Sequence, residues 1–200
     1  MDRKNEIIYA TLELASQQGL GTVSMQQIAD KVGITKASLY NHFPSRDEIV
    51  SSMYEVLRDA SKRKASIADA DYDGLTDGRT LREILITAVG NYRRMVRDPQ
   101  MMMFYRIIMT ERSISEIASE IMVRETRTMI EATRRLFLAI QNKGLVSFED
   151  LDSAAISFAM AVHSIIDYEL DLAQLGRRDG EDMMIVHIDG FCNIYGKRKE

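Results

Sequence analysis

The chain predicts an all-α fold, with an N-terminal three-helix domain carrying a helix-turn-helix and a C-terminal helical bundle, about nine helices in all. Three observations predict it. Apolar residues recur at three- and four-residue steps along most of the 200 residues. Ser/Thr-x-x-Glu/Gln signatures, which satisfy the orphan N–H groups of a helix start, punctuate those stretches. Only two prolines interrupt them, and strand-like alternation is hard to find.

Residues 3 to 18 form the first predicted helix, with Ile7, Ile8, Leu12, Leu14 and Ala15 facing inward and Gly19 and Gly21 closing it. Arg3 and Lys4 at its start are equally suited to phosphate contact and to a solvated surface. Ser24-x-x-Gln27 starts a second helix whose apolar face is Ile28, Ala29 and Val32, and Gly33 ends it where a positive φ is cheap. Thr35 N-caps a third helix running to about His42, of which only Leu39 and Phe43 need to face inward. Pro44 stops it, and Ser45-x-x-Glu48 starts a fourth from Arg46 through Ile49, Val50, Met53, Tyr54 and Leu57 to Lys62-Arg63-Lys64. Two short helices joined by a Gly-containing turn, the second polar on its exposed side, read as a helix-turn-helix that contacts DNA.

This stretch resembles the DNA-binding domain of TetR/AcrR-family transcriptional regulators in Ile28-Ala29, Gly33, Leu39-Tyr40, His42-Phe43 and Ser45-Arg46. The resemblance covers roughly residues 5 to 60 and departs at Arg46, where the family more often has Lys. It implies the same count of helices, a homodimer joined by a four-helix interface, and a ligand-binding C-terminal part.

Residues 66 to 79, SIADADYDGLTDGR, hold four Asp and two Gly with few apolar groups and predict a loop at a domain boundary. The domains expected are therefore 1–46, continuing into a linking helix over 46–65, and a regulatory and dimerisation domain over 66–200. In the second, Thr80-x-x-Glu83 starts a helix ending before Pro99, Met101 to Met109 form a short apolar helix, and Ser113-x-x-Glu116 caps a long one ending at Gly144. Helices from about Phe148 to Leu175 and Glu181 to Tyr195 complete the chain.

The net charge of −4 is not that of a basic nucleic-acid binder, but residues 1–64 carry +1 and the remainder −5. Affinity for DNA must then come from placed cations and helix N-termini. Lys36 and Asn41 are the best candidates for base readout, Lys36 toward guanine O6/N7 and Asn41 toward adenine. Ala37 could approach a thymine methyl. Gln26, Thr35, Ser38, Tyr40, His42 and Arg46 are assigned to phosphate positioning or base edges; the resemblance implies a phosphate contact for Tyr40. The plainer alternatives are packing on the first helix for Tyr40 and a structural hydrogen bond for His42.

One such element reads too few base pairs, so a symmetric dimer on a palindromic operator is expected. Between Ala154 and Ile166 the penultimate helix is apolar nearly all round, which places Ala155, Ala159, Val162 and Ile166 at the interface, with Val186 and Phe191 of the last helix. A small, largely apolar effector is expected among the central helices. Asn91, Met103, His163 and Asp167 are its candidate contacts, Met103 belonging to the adaptable cluster Met101, Met102, Met103 and Met109. Ordinary core packing is the plainer reading of the methionines, as mutual pairing or pairing across the dimer is for His163 and Asp167. Two potential ligands do not make a coordination set, so neither a metal nor another cofactor is expected.

The opening MDRKNEIIYA lacks the apolar core of a signal peptide, and the charge-free run Ser153 to Ile166 is shorter than the ~20 residues of a membrane span. Together with a lone Cys192 this predicts a cytoplasmic protein without membrane attachment. Three functions compete: a ligand-released repressor; a DNA-bound factor without a small-molecule inducer, chromosome-bound or protein-controlled; and an all-α enzyme or carrier using His163, Asp167 and Glu169. No nucleophile-base-orienter set, phosphate loop or metal motif supports the third.

Overall fold

The computed structural model describes residues 2–64, 71–178 and 180–196, in which ten α-helices and no extended strands occur. The helices are α1 (Arg3–Gln18), α2 (Met25–Val32), α3 (Lys36–His42), α4 (Arg46–Lys64), α5 (Tyr72–Thr76), α6 (Leu81–Val96), α7 (Pro99–Glu111), α8 (Glu116–Asn142), α9 (Leu151–Gln174) and α10 (Met183–Tyr195). A single 3-10 turn, Leu20–Thr22, links α1 to α2.

The expected caps start four of these helices. At α2 the Gln27 N–H donates to Ser24 Oγ at 3.3 Å and the Ser24 N–H to Gln27 Oε1 at 2.8 Å, closing the capping box. Thr35 accepts from the Ser38 N–H at 3.1 Å, and Ser45 from the Glu48 N–H at 3.1 Å. Thr80 and Glu83 exchange both bonds of a box at α6.

Four boundaries differ from expectation, each for a local reason. The short apolar helix extends to Pro99–Glu111, because Asp98 caps it and Pro99 occupies its first turn, where no N–H is needed. The Glu111 carbonyl then accepts from Ile114 and Ser115, so Ser113 lies in a turn and Ser115, not Ser113, caps α8 through the Ala118 N–H at 3.4 Å. Asp150 sets the start of α9 at Leu151, later than Phe148, by accepting from the Ser153 N–H at 3.0 Å. The fourth difference is α5, a one-turn helix within the stretch expected to be a loop. Asp71 holds it, accepting from the Gly74 N–H at 2.8 Å, a cap that apolar periodicity cannot reveal. The first part of that expected loop, residues 65–70, lies outside the described residues.

The chain packs as two compact units. The first gathers the described parts of 1–67 with 94–124; the second comprises those of 68–93 and 125–200. The chain passes between the units inside α6 and inside α8, while the boundary expected near residue 66 lies outside the described residues. In the first unit one continuous core includes Ile7, Ile8, Leu12, Ile28, Leu39, Ile49 and Met53, and α7 adds Phe104 and Ile108 to it. Further contacts tie 94–124 to α4. Ser61 Oγ donates to the Met95 carbonyl at 2.5 Å, and Arg124 donates to Glu55 at 2.7 Å while lying over the Tyr54 ring.

The second unit is centred on an aromatic cluster. Phe137 stacks on Phe148 at 4.9 Å and meets Phe158 edge-on at 5.4 Å, and Phe191 lies 4.9 Å from Phe158 and 4.6 Å from Tyr195. Offset and edge-on ring pairs of this kind add stability beyond their burial. Among the described residues no helix is long and apolar enough to cross a membrane.

Candidate nucleic-acid interface

Gly33 adopts φ 72° and ψ 36°, the left-handed conformation that lets α2 stop and α3 depart in a new direction. Leu39 is completely buried and Phe43 nearly so, anchoring one side of α3 in the core. On the opposite side Thr35, Lys36, Ala37, Tyr40 and Asn41 are exposed, with Lys36 and Tyr40, and Ala37 and Asn41, each one helical turn apart. Ser38 and His42 are half-buried. The result is a short rigid helix whose outward side offers an ammonium, a phenol, an amide and a methyl.

Two residues expected at this surface are engaged elsewhere. Gln26 Nε2 donates to Asp30 Oδ1 at 2.7 Å along its own helix. Arg46 turns inward, its Nη1 donating to the carbonyls of Leu20 and Gly21 at 3.2 Å and of Val23 at 3.3 Å. The guanidinium expected to meet phosphate is half-buried and clasps the α1–α2 turn. Of the cations on α1, Arg3 pairs with Glu6 at 2.6 Å and Lys4 sits 5.7 Å from the centre of the Phe43 ring.

In the second unit, Ala155, Ala159, Val162, Ile166 and Phe191 are all at most 6 % exposed within the single chain. They are corrected from interface to core, since a surface already withdrawn from water has nothing left to bury against a partner. Val186, at 49 % exposure, is the exception. It belongs to a stripe the sequence reading missed: Ile156 and Met160 on α9, and Met183, Val186 and Ile194 on α10, are all exposed apolar side chains. The signal was present as one-turn spacing on the opposite side of each helix from the core positions. Gly190 lies in the same row of α10, and a Cβ placed there would meet nothing within 4 Å.

The candidate ligand contacts are divided by the packing. Met103 lies in the first unit and is exposed, whereas Asn91, His163 and Asp167 lie half-buried in the second. His163 Nε2 and Asp167 Oδ2 are 3.7 Å apart. Nearby in sequence, Arg93 bonds both Glu169 and Asp182, the latter at 3.1 Å. Burial opposes the charge of Arg93, but the two carboxylates more than offset it and raise its pKa.

A capped helix pair with a left-handed glycine turn, one face of its second helix anchored and the other polar and exposed, defines a helix-turn-helix DNA-binding protein. Comparison with known proteins narrows the class. Residues 7–53 match the sequence model of the bacterial regulatory proteins of the tetR family, and 83–178 that of the C-terminal domain of AefR-like transcriptional repressors. The chain belongs to the TetR family of transcriptional regulators.

Relatives include the nucleoid occlusion factor SlmA of Vibrio cholerae, 28% identical over 88 residues (43% of this chain, 45% of that protein). The HTH-type transcriptional regulator AcrR of Shigella flexneri is 30% identical over 88 residues (42% and 39%). The chain thus spans less than half the length of these relatives. Among solved structures, the flavonoid-responsive regulator FrrA superposes with a TM-score of 0.75 at 21% identity, covering 98% of both chains. The SmeT–triclosan complex gives 0.71 at 15% identity, covering 98% of this chain and 92% of that one. At such identities the likeness is one of fold.

Proposed function

We propose that the protein is a homodimeric repressor that places α3 in the major groove of a palindromic operator and is released by a small, largely apolar ligand. The observation that carries the DNA reading is the two-sided character of α3, with Leu39 wholly buried while Lys36, Tyr40 and Asn41 are exposed. Lys36 and Asn41 read base edges, and Tyr40 with the Thr35 end of α3 holds the phosphates. Positioning contacts of this kind carry affinity and are weakened by salt.

The dimer rests on the exposed stripe of α9 and α10. A partner of the same sequence would cover Ile156, Met160, Val186 and Ile194, and Gly190 leaves room for close helix approach. Half-sites would then lie about 34–36 Å apart on one side of the duplex. Asn91, His163 and Asp167 are the polar groups proposed to orient an effector in the second unit. The effector reading is supported by FrrA and SmeT, whose names record a flavonoid response and a triclosan complex. The similarity to SlmA favours a second reading, a DNA-bound factor without a small-molecule inducer.

One experiment separates them. Duplexes selected by the full-length protein from a random pool should share a palindrome, and footprints should cover two adjacent major grooves. A hydrophobic panel including a flavonoid and triclosan is then added to the complex. Dissociation supports the repressor reading; retention by every member with operator binding intact favours the inducer-free one. Recovery of no common sequence sinks specific DNA recognition.

A further inference from the structure

We propose that Arg46 and Glu111 are positioning residues for DNA binding, holding the α1–α2 turn from two sides and so setting where the helix-turn-helix begins. The turn, Gly19–Val23, is gripped according to the polarity of its own peptides. Its carbonyls at Leu20, Gly21 and Val23 accept from Arg46 Nη1 at 3.2, 3.2 and 3.3 Å. Its Gly21 N–H donates to Glu111 Oε1 at 3.4 Å. A cation therefore meets the negative ends of three peptide dipoles and an anion meets a positive end, the arrangement in which charged partners strengthen hydrogen bonds most.

The Glu111 carboxylate lies beside the two glycines of the turn. A Cβ built on Gly21 would stand 3.5 Å from Glu111 Oε2, and one on Gly19 3.7 Å from Oε1. The carboxylate lies directly on bare backbone.

The origins of the two holding residues give the contact its meaning. Arg46 is the first residue of α4, immediately after the recognition helix, and α2 starts two residues beyond Val23. Glu111 is the last residue of α7, inside the stretch 83–178 that matches the regulatory C-terminal model, yet it packs in the same unit as α1 and α4. A displacement of α7 is therefore applied at the turn that precedes α2, through one carboxylate. Arg46 brings a single nitrogen, Nη1, to all three oxygens, and Nη1 stands one atom further along the side chain than a lysine Nζ, so a lysine at this position stops short of them.

The test uses the full-length protein with Arg46→Gln, Arg46→Lys and Glu111→Gln. Amide hydrogen exchange at Gly21, Thr22 and Val23 should quicken by about tenfold in Arg46→Gln and Glu111→Gln, since each removes a charge-assisted hydrogen bond, while the helical circular dichroism is kept. Affinity for a mixed-sequence duplex should fall in Arg46→Gln with the slope of log affinity against log salt unchanged, and Arg46→Lys should not restore it. Unaltered exchange in both Gln variants overturns the proposal. A salt slope reduced by about one, with full rescue by Lys, makes Arg46 a phosphate contact and overturns it equally. Quickened exchange in a protein that binds no duplex supports the grip and sinks the DNA-binding reading instead.

Discussion

Arg93 donates to Asp182 Oδ1 at 3.1 Å, and the same oxygen accepts the Met184 and Ile185 N–H groups at 3.0 and 3.3 Å. The side chain that caps α10 is thus also tied to α6. The helix bearing half of the exposed apolar stripe is fixed at its first turn by one carboxylate.

That relationship predicts an acid-sensitive anchor. Asp182→Ala should cost about 1–2 kcal/mol at neutral pH, the usual loss for a removed N-cap. The Arg93 hydrogen bond, opposed by partial burial, holds the Asp182 carboxyl below its ordinary value of 3.8. A depressed folded pKa gives stability that is fully present above the unfolded value and is lost as pH falls through the folded one. Arg93→Gln should therefore lower stability at neutral pH and shrink the part of it that is lost on acidification. Urea midpoints followed from neutral pH into the acid range check both.

Exposure separates interface from core in a second prediction. Val186→Arg should leave the helical signal intact and shift sedimentation from dimer to monomer, since Val186 is half exposed in the single chain. Ala159→Arg, at a position only 1% exposed, should instead unfold the protein or remove it from the soluble fraction. A dimeric Val186→Arg would place the interface elsewhere.

At the recognition helix, three substitutions should behave differently. Asn41→Ala should relax base preference by about 1–3 kcal/mol at one operator position. Lys36→Ala should do the same at another or, if its contact is to phosphate, lower the salt slope by about one. Tyr40→Ala should weaken all sequences alike. Titrations of a selected duplex and a mixed one across several salt concentrations distinguish these outcomes.

Gly33→Ala tests the turn by conformation alone. A Cβ there would meet nothing within 4 Å, so no clash contributes. The left-handed φ of 72° should still cost about 1–2 kcal/mol, read as a lower thermal midpoint with unchanged helix content.

Local chemistry was the legible part. Ser24, Thr35, Ser45 and Thr80 cap helices because a side-chain oxygen meets an N–H two or three residues on, a relation contained within one short segment. Gly33 and the polar side of α3 were readable for the same reason. α5 was not: its Asp71 cap is equally local, but one turn is too short to show an apolar repeat, and its packing rests on contacts such as Tyr72 to the Ala132 carbonyl, sixty residues away.

What the sequence by itself determined was the helical class, the helix-turn-helix and the exposure of Lys36, Tyr40 and Asn41 on it, all consequences of short-range spacing. Tertiary structure alone decided which apolar side of α9 is core and which is bare, that α7 packs with the DNA-reading helices, and that Arg46 faces carbonyls. A periodic apolar pattern says that a helix side must be covered, but not by what. Only the three-dimensional arrangement brings Glu111 to Gly21, or leaves Val186 bare.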